Sequence, residues 1–125
     1  MSARRLIVNE RTGQVVLARA RLCASFFSRL VGLSFHGPNA VSDGALFVCR
    51  SNSRRASAIH TLGLRSAIGV VWLGADHKVV DKKLAKSWRF AHVPSAPAMY
   101  YLEADPAILA RTEIGDQLRI DEADA

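Results

Sequence analysis

Residues suited to binding a polar or anionic ligand flank the most apolar stretch of the chain, Ile68–Leu73. That stretch is rich in the β-branched and aromatic residue types that form buried strands. Polar side chains beside such a strand are held by a rigid scaffold, and a guanidinium forms paired hydrogen bonds to carboxylate or phosphate. We therefore predict a ligand site near this strand, with six candidate binding residues: His60, Thr61, Arg65, Trp88, Arg89 and Arg29.

Each type of candidate also has a purely structural interpretation. The three arginines could cover sheet edges or pair with Asp43, Glu103 and Asp116. His60 could orient its own loop through a hydrogen bond, and Trp88 could close the open end of a barrel. The sequence alone leaves these alternatives open.

A second hypothesis is a hydrolase that uses Cys49 and His60. A thiolate activated by an imidazole is the minimum for nucleophilic catalysis. The sequence shows no third orienting residue, no oxyanion element and no local signature around Cys49, so we assign no catalytic residue. Cys23 and Cys49 lack CxxC spacing, and we predict two reduced thiols packed as small hydrophobic residues.

We predict no metal and no cofactor. The four histidines are not paired at i, i+4 and none belongs to a cluster with cysteine, so a metal site would need convergence in the fold. They are His36, His60, His77 and His92.

Charge is distributed unevenly along the 125 residues, whose net charge is +6. Residues 1–100 contain fifteen Lys or Arg and four acids, whereas residues 101–125 contain two Arg and seven acids. A basic body can bind nucleic acid, a membrane surface or an acidic protein, or it can simply be a solvated face. No nucleic-acid-binding motif accompanies the charge, so a basic adaptor for nucleic acid or acidic proteins is a third hypothesis.

No targeting or spanning segment is predicted. The N-terminal residues lack the apolar core of a secretory signal, and no run approaches the roughly 20 apolar residues that span a bilayer. The sequence thus favours a cytoplasmic location. The length and half-apolar composition indicate one domain over residues 1–125, with a core at about 5–120 and an acidic tail at 121–125.

Short strands separated by turns predict a mainly β domain with two short helices, in which the sheet is closed or sandwiched. One hairpin pairs Arg5–Asn9 with Gln14–Arg19, and a second pairs Ile68–Leu73 with Val79–Leu84. The remaining predicted elements are strands Ala45–Cys49, Met99–Glu103 and Gln117–Ile120, helices Ser25–Leu33 and Asp105–Ala110, and loops at 35–42, 50–55 and 87–97.

Several short motifs in a fixed order carry a family resemblance over residues 7–120: Asn9–Gly13, Ser28–Leu33, Asp43–Phe47, Ile59–Arg65, Asp76–Val80, Trp88–Arg89, Tyr101–Glu103 and Ile114–Asp116. In this order and spacing the chain resembles the small bacterial and archaeal domain of unknown function 192 family, also called uncharacterised protein family 0127. The resemblance implies a compact β-rich fold, a sandwich or barrel that is loosely jelly-roll, and no established activity.

The chain departs from the family pattern at three places. Gly69 lies where the family usually has an Asp, and His36 lies where a basic residue is common. Residues 50–57 are longer than the usual link to the Ile59–Arg65 motif. If the shared function of the family depends on that acid, this chain has lost or changed it. The polar residues at the end of the buried strand and the basic body lead us to favour a non-catalytic binding or accessory module for a polar or anionic ligand.

Overall fold

The computed structural model describes residues 3–23, 39–62 and 64–123. Their strands form one curled sheet, in the order β5-β4-β6-β3-β2-β1-β7. The strands are β1 (Arg4–Asn9), β2 (Val15–Cys23), β3 (Ala45–Ser53), β4 (Ile68–Leu73), β5 (Val79–Ala85), β6 (Ala98–Ala104) and β7 (Leu118–Glu122). The helices are α1 (Ala40–Asp43) and a 3₁₀ helix (Pro106–Arg111).

The sheet curls so far that its two edge strands, β5 and β7, come into contact at one end. A bridge joins Lys78 to Gln117 beside the starts of β5 and β7, and the Val79 amide donates to the Asp116 carbonyl oxygen at 2.9 Å. All described neighbours pair antiparallel except β2 and β3, which are parallel. The result is a half-barrel, and the predicted mainly β class with two short helices is confirmed.

The curled sheet buries a separate apolar cluster on each face. Strand β4 contributes to both, because successive side chains of a strand point to opposite faces. Val71 and Leu73 belong to the inner cluster, where Ile108 of the 3₁₀ helix also packs. Val70 and Trp72 belong to the outer cluster, which Ile59 covers. All six residues of β4 are buried, as its unbroken apolar sequence predicted.

Both predicted hairpins are confirmed. Strands β1 and β2 are antiparallel around a turn in which Gly13 has φ +74°, a left-handed conformation that glycine adopts without strain. Strand β4 has the predicted bounds and pairs with β5. The second arm extends one residue beyond the prediction, to Ala85.

Other boundaries differ from the predictions because tertiary contacts outweigh local composition. Strand β3 continues through the polar residues Arg50–Ser53, which were predicted as a loop tip. Strand β7 includes Asp121 and Glu122, predicted as a frayed tail, because they pair with β1. Part of the predicted loop 35–42 forms α1, and the predicted C-terminal helix is 3₁₀ in type. The predicted helix Ser25–Leu33 lies outside the described residues.

A buried polar cluster ties the first hairpin to the end of the chain. The Asp116 carboxylate accepts hydrogen bonds from Asn9 Nδ2 at 2.7 Å and from the Glu113 amide at 2.8 Å. Arg11 Nε donates to it at 2.5 Å. Arg11 and these hydrogen bonds hold the pKa of Asp116 well below its usual range. These hydrogen bonds therefore join two of the motifs that carry the family resemblance.

Within the part of the chain that the structure describes, no helix is both long and apolar enough to cross a membrane.

Candidate functional site

Two irregular segments, residues 57–65 and 86–94, pair with each other over the outer face of the sheet. Ile59 and His92 exchange backbone hydrogen bonds of 3.0 and 2.8 Å. Further along, the Thr61 amide donates to the Arg89 carbonyl oxygen at 3.0 Å, and the Trp88 amide donates to the Thr61 carbonyl oxygen at 2.9 Å. These bonds bring predicted site residues from distant parts of the sequence to one place.

Trp72 anchors the first segment to the sheet. Its indole Nε1 donates to the Ser57 carbonyl oxygen at 2.8 Å, and the ring is fully buried. The Ser57 hydroxyl in turn donates to the Ser53 carbonyl oxygen at 2.6 Å, just where β3 ends. The link between β3 and the Ile59–Arg65 motif is thus an extension of β3 followed by a tight turn.

Thr61 is a buried positioning residue in this arrangement. Its hydroxyl donates to the Lys86 carbonyl oxygen at 2.6 Å and accepts the Arg89 amide at 3.0 Å. It is fully buried, so its oxygen faces protein groups rather than solvent. The hydroxyl fixes the spacing of the two segments, and a ligand on the surface does not reach it.

The His92 ring lies beside the Thr61 hydroxyl and the carbonyl oxygen to which that hydroxyl donates. Its Nε2 lies 3.1 Å from the Lys86 carbonyl oxygen and 3.3 Å from Thr61 Oγ1, so the proton is assigned to Nε2. Its Nδ1 is buried without a hydrogen-bond partner among the described residues. Burial, with the nearby charges of Lys83 and Arg89, lowers the pKa of His92, although the Lys86 carbonyl acts in the opposite direction.

Four of the predicted binding residues lie on the solvent side of the paired segments. His60, Arg65, Trp88 and Arg89 are all exposed, and Trp88 is 64% exposed. His60 is adjacent in the chain to buried Ile59 and Thr61, so the alternation of an extended strand turns it outward. Among the described residues, no acid lies within ion-pair distance of Arg65 or Arg89.

The acids suggested as partners for the arginines have other neighbours. Asp116 binds Arg11, and Asp43 lies 3.9 Å from Arg4. Glu103 lies near Arg21 instead. The remaining candidate, Arg29, falls outside the described residues, as does His36.

Cys49 is poorly placed for nucleophilic chemistry. It is only 3% exposed and belongs to the outer apolar cluster with Phe47 and Trp72. His60, its predicted partner in the hydrolase hypothesis, is exposed, and its Nδ1 accepts the Leu62 amide at 3.3 Å. A substrate would have to enter the packed cluster to reach the sulfur. Both cysteines are buried thiols outside any disulfide, as predicted.

Glu103 is a polar residue whose environment the sequence did not reveal. It faces Ala45 and Val70 across neighbouring strands. Burial raises the pKa of its carboxyl to about 8, against the opposing effect of Arg21. Neither Glu103 nor His92 carries a local sequence signal, because each environment is created by residues far away in the chain.

The predicted binding residues His60, Arg65, Trp88 and Arg89 lie on an exposed surface. A shallow depression of ≈ 330 Å³ lies elsewhere, lined by Leu6, Ala18, Arg19, Glu122 and Ala123. The described residues also contain no group of three His, Cys, Asp or Glu side chains that could hold a metal ion.

Comparison with known proteins places these features in a family. The family model described as DUF192, Uncharacterized ACR, COG1430, matches residues 7–120. A UPF0127 protein of Pyrococcus furiosus is 33% identical over 114 residues, which cover 90% of this chain and 95% of the relative.

Two crystal structures share the fold. A protein of unknown function from Novosphingobium aromaticivorans superposes with a TM-score of 0.75 at 16% identity, covering 93% of this chain and 83% of the other. A candidate transcription regulator of Sinorhizobium meliloti superposes with a TM-score of 0.77 at 16% identity, covering 95% and 93%. At this identity the likeness concerns the fold alone.

Proposed function

We propose that this chain, which belongs to the uncharacterised DUF192 family, is a non-catalytic binding or accessory module for an anionic ligand. The ligand contacts would come from His60, Arg65, Trp88 and Arg89, which we call the cationic loop surface. Thr61 acts beneath this surface as a positioning residue.

One observation carries the proposal: buried polar groups hold two irregular segments together so that their cationic neighbours face solvent. The Thr61 hydroxyl and the His92 ring both bind the Lys86 carbonyl oxygen. The adjacent guanidinium of Arg89 and the imidazole of His60 are exposed. Fixing the backbone in advance reduces the entropy that a ligand must overcome to order its binding groups.

The charge of the surrounding chain supports an anion. Residues 50–94 contain nine Lys or Arg and two acids, a net charge of +7, which exceeds that of the whole protein. A guanidinium without an acidic neighbour remains available for paired hydrogen bonds to carboxylate or phosphate. The field of such a segment also raises the local concentration of anions.

Binding of inorganic polyphosphate tests the proposal. We expect binding at low salt that weakens by at least about tenfold at physiological salt, because exposed charges are screened over roughly 10 Å. The double variant Arg65→Gln/Arg89→Gln should lose most of the affinity. The matched control Arg19→Gln/Arg119→Gln removes the same charge from β2 and β7, outside the surface, and should bind nearly as the wild type does. No binding at low salt, or equal losses in both double variants, would contradict the proposal.

A further inference from the structure

Apolar side chains project from the same segment that carries the cations. Phe90 is 86% exposed, and Val93 is 45% exposed. Trp88 completes this set, which we call the aromatic tip. Large apolar side chains exposed together in one short segment mark an interaction site more often than isolated ones do.

The backbone beneath the aromatic tip is firmly held. Trp88 adopts φ +60°, an uncommon conformation for a residue with a large side chain, and its amide is bonded to Thr61. At the other end of the segment, Arg54 Nε donates to the Pro94 carbonyl oxygen at 2.9 Å, and the Ser95 amide donates to Asp81 Oδ2 at 2.8 Å. The exposure of Phe90 therefore comes from a segment that is fixed at both ends.

We infer that the aromatic tip and the cationic loop surface together bind an anionic lipid surface, with Trp88 and Phe90 entering the interfacial region while Arg65 and Arg89 contact headgroup phosphates. This inference rests on the proposed function and names its ligand class. Aromatic rings favour the membrane–water interface, and Arg and Lys keep their charged ends at headgroup level while their stems lie along apolar surface.

Charge complementarity favours an anionic lipid surface over a second copy of the chain or a nucleic-acid strand. A second copy of the chain would bring the same positive segment against itself, and like charges oppose such a contact. A single nucleic-acid strand is typically held by an extended positive groove with successive stacking rings. Here the apolar groups lie on a short exposed loop that includes the aliphatic Val93. An anionic bilayer offers both the charge and an apolar layer that such a loop can enter.

Vesicle binding tests the inference on the full chain. We expect binding to mixed phosphatidylcholine–phosphatidylserine vesicles and weaker binding, by about tenfold or more, to phosphatidylcholine alone. Phe90→Ala/Val93→Ala should reduce vesicle binding by about tenfold while leaving polyphosphate binding within about twofold, because neither residue belongs to the cationic loop surface. Arg65→Gln/Arg89→Gln should reduce both. The apolar control is Ile114→Ala, because Ile114 is 63% exposed and lies far from the aromatic tip along β5. Ile114 lies in the turn beside the start of β5, whereas the aromatic tip follows the end of that strand.

Trp88 also reports its own insertion. Trp72 is fully buried, so brominated lipids should quench the emission of the exposed Trp88 and leave most of the signal from Trp72. Unchanged thermal unfolding in the variants would show that the fold is intact, because the substituted side chains are exposed.

The outcomes separate the two proposals. Polyphosphate binding without vesicle binding would overturn the lipid inference and leave the proposed function standing. Binding of neither would overturn both. Vesicle binding that the Phe90→Ala/Val93→Ala variant retains in full would overturn insertion of the tip. Loss of single-stranded oligonucleotide binding in that variant, without any vesicle binding, would indicate a nucleic-acid surface instead.

Discussion

Substitution of Gly69 by alanine should destabilise the protein, although the backbone there tolerates any residue. A Cβ at this position would lie 2.9 Å from Ile108 Cγ1, 3.1 Å from the Asp105 carbonyl oxygen and 3.2 Å from Pro106 Cα. Two of these neighbours are backbone atoms at the start of the 3₁₀ helix, so the helix must move outward. Overpacking of this kind costs about 1–3 kcal/mol, and the lower entropy of the unfolded alanine chain offsets about 0.4–1 kcal/mol. The net loss should be about 1–2 kcal/mol.

Urea unfolding followed by the emission of buried Trp72 measures this loss, which should also lower the midpoint of thermal unfolding by about 3–8 °C. Gly74→Ala is the control, because the nearest atom to its Cβ is the carboxylate oxygen of the exposed Asp76 side chain, 3.1 Å away, and a shift of a few tenths of an ångström relieves that contact. Gly69→Asp should lose about 3 kcal/mol or more, since it also buries a charge. A Gly69→Ala protein as stable as the wild type would refute the conclusion that the 3₁₀ helix packs directly on β4.

Four further outcomes follow from buried polar groups and thiols. Because burial raises the pKa of Glu103 to about 8, the free energy of unfolding should fall as pH rises from about 4.5 to 8. Glu103→Gln should remove that loss in urea unfolding. An unchanged pH profile in this variant would contradict the burial of the Glu103 carboxyl. The lowered pKa of His92 means that stability falls as pH drops below 6.5, and His92→Gln, which can still donate to the Lys86 carbonyl, should flatten this decline. The lowered pKa of Asp116 stabilises the fold above about pH 3.8, so Asp116→Asn should lower stability at neutral pH and weaken its loss in acid. Cys23 and Cys49 should react with Ellman's reagent only after unfolding, and fast reaction of the native protein would revive the thiol chemistry.

The parts of the fold that the sequence predicted correctly are those specified locally. Ile68–Leu73 forms a strand with those bounds because every side chain is apolar and both faces of the sheet are covered. Gly13 occupies the left-handed turn that its position between two strands required. The Asp105–Pro106 pair begins a helix, with Asp105 Oδ1 accepting the Ala107 amide at 2.8 Å.

The parts that the sequence did not predict depend on distant partners. The polar end of β3 is a strand because Ser53 pairs with Ala98. Thr61 and His60 look equally suitable for binding in the sequence, yet one is buried and the other exposed. That difference comes from the pairing of Thr61 with Arg89, which lies 28 residues away. No periodicity marks such a pairing between two irregular segments.

The family resemblance implies an Asp at the position of Gly69, and the packing around Gly69 bears on the proposed site. Gly69 alternates with Ile68 and Val70 along β4, so its face of the strand is the inner one, against the 3₁₀ helix. The segment that carries His60 packs on the outer face instead, where Ile59 and Val70 belong to the same apolar cluster. An Asp at position 69 would therefore change packing inside the half-barrel and add no charge to the cationic loop surface. Anion binding by Arg65 and Arg89 consequently does not require the family's usual acid, and a Gly69→Asp variant that still folds should bind polyphosphate as the wild type does.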